Sequence, residues 1–245
     1  MLTANVQKIT LKSSIKAVLA GITTGFFTPN RIGELVGRVM WLNAENRKAG
    51  VTMSAVNSLT QNLVMVLCGV PACFIYFYST TSALEVDIEN FLLILMAFLS
   101  LFGLLYFYLP KLSEYLALTN IASKISSYTV GFNAFTRVDL MKIMSISLLR
   151  YFVFGTQFFL MLRFFGIQLR PLEALIAIPT NYLFVTFSPS IAFSEAAVRS
   201  SYAVLFISSY SGQVVNIALA GISIWVANFV IPMLIGSLVM VGRKV

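Results

Sequence analysis

The feature that most constrains this fold is a set of long apolar stretches with very little charge. Four of them, residues 51–79, 91–109, 140–165 and 214–241, are about as long as a helix must be to cross a bilayer, roughly 20 residues. They are continuous rather than alternating, unlike the strands of a membrane barrel. Charged residues make up 11% of the chain, against about a quarter in soluble proteins. The sequence therefore predicts an all-α integral membrane protein with about four full transmembrane helices.

The positive charges of the chain predict its orientation in the membrane. The net charge is +8, but the basic residues are dispersed beside the apolar stretches. That distribution is typical of cytoplasmic loops and does not indicate a nucleic-acid partner. Residues 110–138 could form a helix on the cytoplasmic surface, and this arrangement leaves only Arg170 outside among the basic loop residues. We therefore expect a multi-pass protein of the cell inner (cytoplasmic) membrane with both termini in the cytoplasm.

Several kinds of chemistry are disfavoured by the residues present. The chain has no histidine, and its two cysteines, Cys68 and Cys73, fall within one apolar stretch. A disulfide framework is excluded by that placement, and the sequence predicts no metal and no other cofactor. Imidazole acid–base catalysis is also excluded. We expect no catalytic residues.

Two short polar stretches resemble each other. In residues 28–38 and 188–199, a hydroxyl residue and a proline end an apolar run, and a glutamate then precedes an arginine by four positions. Residues four apart lie on one face of a helix, so Glu34 should pair with Arg38 and Glu195 with Arg199. Because their surroundings are apolar, we expect both pairs to lie inside the membrane protein.

The helices beside these polar stretches are too short to cross a membrane, which predicts two re-entrant hairpins. The first covers residues 13–48, with its second helix over residues 33–50, and the other covers residues 172–210. An odd number of crossings separates them, so they should enter from opposite faces. The chain then reads as one transmembrane domain, residues 1–245, with inverted halves at 13–109 and 139–242, a pattern found around transport sites.

The run Phe27–Arg38 resembles the TP-x-R-x-GE stretch in the transmembrane region of the lysylphosphatidylglycerol synthase/flippase family. Residues 188–199 lie where that family has a second motif, P-x-G-x-G-x-x-E, with Ser190, Ala192 and Ser194 here at or beside the glycine positions. The resemblance implies a lipid flippase, or a membrane protein acting on an anionic phospholipid or a polyprenyl-phosphate type of lipid. These residues hold no aminoacyl-transferase domain, so no synthase activity is implied.

Two interpretations of the Glu–Arg pairs stay open. Four charges at the centre of a membrane would cost roughly 10 kcal/mol in total before pairing. Each pair could simply neutralise itself and hold its hairpin together. Alternatively, Arg38 and Arg199 bind a lipid phosphate through bidentate hydrogen bonds while Glu34 and Glu195 position them. The family resemblance favours the second interpretation.

Four further residues are candidates for the same site. Arg31 begins a short helix, where it could contact a phosphate or extend to the membrane surface. Arg150 lies deep in a crossing and should face a pocket or pair with Glu34 or Glu195. Asn57 and Gln61 could line a polar pathway or form hydrogen bonds between helices.

The sequence favours movement of an anionic phospholipid or lipid-linked head group across the cytoplasmic membrane. Two other functions stay open. One is a non-catalytic membrane subunit that presents a lipid to a partner enzyme, and the other is an intramembrane lipid-modifying enzyme with Glu34 or Glu195 as general base. In each case the partner is a membrane lipid, and a protein partner or a second copy of the chain is compatible with all three.

Overall fold

The computed structural model describes residues 10–80, 88–117 and 135–242, and these residues are all-helical, with no strand among them. They form α1 Leu11–Phe26, α2 Gly33–Val39, α3 Arg47–Thr80, α4 Ile88–Ala117, α5 Arg137–Phe164, α6 Pro171–Phe187, α7 Ala192–Ile207 and α8 Val214–Val241.

Three helical segments are long and apolar enough to cross a membrane: Ala44–Thr80, Arg137–Phe164 and Val214–Val241. The all-helical class is thereby confirmed for the described residues, and the three candidate spans suggest a membrane protein. The fourth predicted crossing, residues 91–109, forms the middle of α4 and stays a prediction. Of the predicted surface segment, residues 110–117 continue α4 and residues 118–134 lie outside the described part of the chain.

The first hairpin consists of α1 and α2, but its second helix is shorter than predicted. We expected one helix over residues 33–50, whereas α2 ends at Val39 and α3 begins at Arg47. Asn43, a residue type that favours turns and helix starts, has an extended backbone there, with φ −58° and ψ 148°. The resulting turn buries Leu42 against Gly50.

Close packing joins α1 to α2. A side-chain carbon added at Gly33 or Gly37 would collide with the backbone of α1, so small residues one turn apart allow the two helices to touch. The contact is strengthened by Thr24, whose hydroxyl donates to the carbonyl of Gly33 at 2.7 Å. The amide of Gly33 donates in turn to Thr28 Oγ1 at 2.8 Å. These bonds fix the polar turn at residues 27–32.

The second hairpin consists of α6 and α7, which are joined by residues 188–191. Ser188 Oγ lies 2.8 Å from the hydroxyl of Tyr202 and connects the turn to α7. Gly69 of α3 packs against Leu183 of α6, and Gly221 of α8 packs against the backbone of Ser200 on α7. The hairpin is therefore held between two of the long helices.

The main apolar core lies where α3, α5, α6, α7 and α8 meet. We call it the sealed core. Its most deeply buried side chains are almost completely inaccessible to solvent: Val64, Phe158, Leu162, Ile167, Ala177, Ala203, Ile207, Ile217 and Ala220. On the other side of α5, the hydroxyl of Tyr106 on α4 donates to the carbonyl of Leu140 at 3.1 Å and lies 2.9 Å from Thr60 Oγ1. This buried bridge attaches α4 to α3 and α5.

Candidate functional site

The two polar turns meet through one carboxylate. Arg31 Nη2 donates to Glu195 Oε2 at 2.8 Å, which joins the first hairpin to the second across 164 positions of sequence. Arg199 donates to the other oxygen, Oε1, from Nη2 at 2.8 Å and from Nε at 3.0 Å. Glu195 is only 7% exposed, so this carboxylate holds two arginines in a nearly buried position.

Arg31 reaches Glu195 from an unusual backbone conformation. Its φ is +59°, in the left-handed region that residues with a side chain rarely adopt. Such a conformation costs on the order of 1–3 kcal/mol and persists only where the surrounding structure compensates for it. The salt bridge to Glu195 is one such compensation. A second is the ring of Phe229, whose centroid lies 3.5 Å from the guanidinium carbon of Arg31.

Phe229 contacts both arginines from a distorted turn of α8. The guanidinium carbon of Arg199 lies 4.7 Å from the same ring centroid. Residues Val226–Val230 form a π turn within α8, a feature frequently found at functional sites. Pro232 accounts for the distortion, because it has no amide hydrogen to donate to the carbonyl of Asn228.

The remaining predicted pair lies within α2. Arg38 Nη2 donates to Glu34 Oε1, so both predicted pairs with four-residue spacing form. The Nε atom of Arg38 is buried and has no hydrogen-bond partner within the described residues. Arg38 therefore retains unused hydrogen-bonding capacity beside its carboxylate.

A cavity of about 900 Å³ lies between α1, α2, α3, α5 and α8. It brings together five of the predicted site residues: Arg31, Glu34, Arg38, Asn57 and Arg150. The other three are not in its lining. Glu195 and Arg199 adjoin it through Arg31, and Gln61, one turn beyond Asn57 on α3, is half-buried elsewhere.

Arg150 is the most unusual charge in this cavity. It is exposed, stands at the middle of α5, and lies 5.3 Å from the ring centroid of Phe154. Of the two alternatives expected for Arg150, it faces a pocket. The ion pair with Glu34 or Glu195 does not form, because across residues 10–80, 88–117 and 135–242 no carboxylate lies within 4.0 Å of its guanidinium. Glu34 is engaged by Arg38, and Glu195 by the other two arginines. Arg150 remains within electrostatic range of Glu34, Arg38 and Arg31.

Some lining residues were not predicted. Asp139 and Lys142 lie at the start of α5, and Asn228 and Phe229 belong to the π turn of α8. Asn228 followed four residues later by Pro232 was an available sign of a distorted turn. Nothing in the local sequence connects Arg31 to Glu195, since that contact depends on how the hairpins pack.

Within the described residues, no group of three or more histidine, cysteine, aspartate or glutamate side chains is placed to hold a metal ion. Comparisons with models of known protein families, with curated proteins and with solved structures find no match to this chain. A function for this protein therefore has to be inferred from the residues of the site and their geometry.

Proposed function

We propose that this protein moves an anionic phospholipid or lipid-linked head group across the cytoplasmic membrane. The observation that carries the proposal is Arg150, an exposed cation at the middle of a membrane-spanning helix with no carboxylate within 4.0 Å in the described part of the chain. A charge at that depth is costly and usually marks a pathway or a ligand site. An anionic head group would supply the missing partner.

The cavity suits a head group better than a whole lipid. Its volume, about 900 Å³, is at the upper end of the range for small-molecule sites. Apolar residues of α1, α3 and α5 line it together with the arginines, among them Val18, Ile22, Met53 and Ile146. We propose that the phosphate enters this cavity while the acyl or prenyl chains stay in the bilayer.

In this proposal the two hairpins are re-entrant and form an inverted repeat. The cavity is lined by the first half of α3 and the first half of α5, which positive-inside counting assigns to the cytoplasmic side. The cluster of Arg31, Glu195, Arg199 and Phe229 would then close the path toward the other leaflet. Rocking of one half against the other would expose the site alternately to each side.

An intramembrane enzyme is a weaker alternative for this site. A general base needs a free carboxylate near its proton, but Glu34 accepts a hydrogen bond from Arg38, and Glu195 accepts three from two arginines. A subunit that presents a lipid to an enzyme would use the same cavity without moving its ligand. Transport therefore has to be measured directly.

The test is lipid exchange between leaflets in proteoliposomes that contain acyl-labelled phosphatidylglycerol or phosphatidylcholine. We expect the wild-type chain to accelerate exchange of the anionic lipid more than of the zwitterionic one, and Arg150→Gln to remove the acceleration. The matched control is Arg163→Gln, because Arg163 is also an exposed arginine of α5, 5.3 Å from the ring of Phe159, but does not line the cavity.

Two results would contradict the proposed function. If the folded wild-type protein exchanged neither lipid faster than protein-free liposomes, the lipid-presenting subunit would become the better explanation. If Arg150→Gln and Arg163→Gln reduced exchange equally, the loss would reflect the helix in general and not the cavity.

A further inference from the structure

The charges around the cavity are unequal in number. Four cationic side chains line it, Arg31, Arg38, Lys142 and Arg150, and Arg199 is joined to Arg31 through Glu195. The carboxylates of this set are three, Glu34, Asp139 and Glu195. Two positive charges are therefore in excess. Many lining residues are apolar, so uncompensated charge beside them is costly, and a ligand that neutralises both charges is favoured over one that neutralises a single charge.

The two excess charges occupy separate positions. Arg38 is compensated by Glu34 within α2. Asp139 and Lys142 stand three residues apart in the first turns of α5, line the same cavity and cancel each other in net charge. One excess charge is therefore Arg150. The other belongs to Arg31 and Arg199, which share the single carboxylate of Glu195.

These two positions can act on one ligand group. Arg150 and Arg31 both line the cavity. Arg150 approaches from α5, whereas Arg31 approaches from the turn between α1 and α2. A phosphodiester has one negative charge and two unesterified oxygens. A phosphomonoester has close to two charges at neutral pH and three such oxygens, so it can accept charge-assisted hydrogen bonds from both sides.

We infer that the cavity selects a terminal phosphate monoester, a doubly charged head group, over a singly charged phosphodiester. The inference rests on the proposed function and narrows its substrate class. Arg150 is the residue that sets the preference, because it provides the second excess charge. The same chemistry is present in free inorganic phosphate, so the test separates a lipid from a soluble ion.

The test uses two lipids that differ by one methyl group and one charge, dioleoyl phosphatidic acid and dioleoyl phosphatidylmethanol. Binding to the purified full chain in zwitterionic detergent micelles is measured at pH 7.5 by thermophoresis, with inorganic phosphate as competitor. We expect phosphatidic acid to bind at least about tenfold more tightly. Arg150→Gln should abolish most of the difference, Arg150→Lys should retain much of it, and Arg163→Gln should leave it unchanged.

Each outcome decides the inference. Equal affinity for the two lipids, or a preference that survives in Arg150→Gln, would overturn the selection of a dianion and leave lipid movement intact. If the folded wild type bound neither lipid nor phosphate, both the inference and the proposed function would fail. Direct binding of inorganic phosphate to the folded protein, without measurable binding of either lipid, would support recognition of the dianion and overturn the lipid as its source.

Discussion

The two ends of α5 have opposite surroundings. Between its start and its middle, α5 lines the cavity with Lys142, Ile146 and Arg150, whereas near its end Phe158 and Leu162 are at most 1% exposed in the sealed core. The same change occurs along α3, where Asn57 lines the cavity and Val64, about two turns further, is buried. Along both helices, one half of the protein, which we call the cavity half, contains the cavity and its charged residues, and the other half contains the sealed core.

The difference shows how the two halves are stabilised. The sealed core is held by van der Waals contact between interdigitating side chains, which allows few alternative arrangements. The cavity half contains a smaller apolar cluster that includes Met53, Val56 and Leu140, and α1 and α2 meet there through glycine contacts. Among the salt bridges of the described residues, Arg31–Glu195 is the one that joins the two hairpins. Any change of shape in the proposed transport cycle is therefore expected in the cavity half.

The largest difference in stability is expected between alanine substitutions at two phenylalanines one turn apart on α5. Phe158→Ala should lower the free energy of unfolding by about 3–5 kcal/mol, because it leaves a void in the sealed core. Phe154→Ala should cost about 1 kcal/mol, since Phe154 is half-buried and already borders the cavity. Denaturant titration of both variants in micelles measures the difference. Equal losses would mean that Phe154 is as tightly packed as Phe158.

An intermediate effect is expected where α1 touches α2. Gly37→Ala places a methyl group against Thr24 and the carbonyl of Ala20, and overpacking of this kind costs about 1–3 kcal/mol. Gly155→Ala is the matched control on α5, because a methyl group there meets no atom within 4 Å. The control should be neutral or stabilise by up to about 1 kcal/mol. Thermal unfolding of the two variants in the same detergent tests the close contact, which would be refuted if Gly37→Ala were also neutral.

The smallest effect on stability is expected from single cysteines on α3. These variants test directly which positions of α3 can be reached from water. In a Cys68→Ala/Cys73→Ala background, Asn57→Cys should react with a membrane-impermeant thiol reagent at least about tenfold faster than Val64→Cys, because only position 57 lines the cavity. Inside-out vesicles should show the faster labelling if the cavity opens to the cytoplasm. Labelling confined to right-side-out vesicles would reverse the proposed orientation.

Much of the fold could be predicted because it depends on local sequence. The length of the apolar stretches was sufficient to predict the three helices that are long and apolar enough to cross a membrane, Ala44–Thr80, Arg137–Phe164 and Val214–Val241. The spacing of four residues was sufficient for the Glu34–Arg38 and Glu195–Arg199 pairs. The end of α2 at Val39 could not be predicted in the same way, because the burial of Leu42 against Gly50 helps to set that turn.

The site depended on contacts between distant segments. Sequence alone determined which charges lie in apolar surroundings and which of them pair within one helical turn. Tertiary structure decided that Arg31 reaches Glu195 across 164 positions and that Phe229 lies against both Arg31 and Arg199. It also decided that, among the described residues, no carboxylate lies within 4.0 Å of Arg150. The physical reason is that a buried charge must pair with an opposite charge that lies close to it in space. The packing of the two hairpins determines which carboxylates already form ion pairs and which arginines they bind.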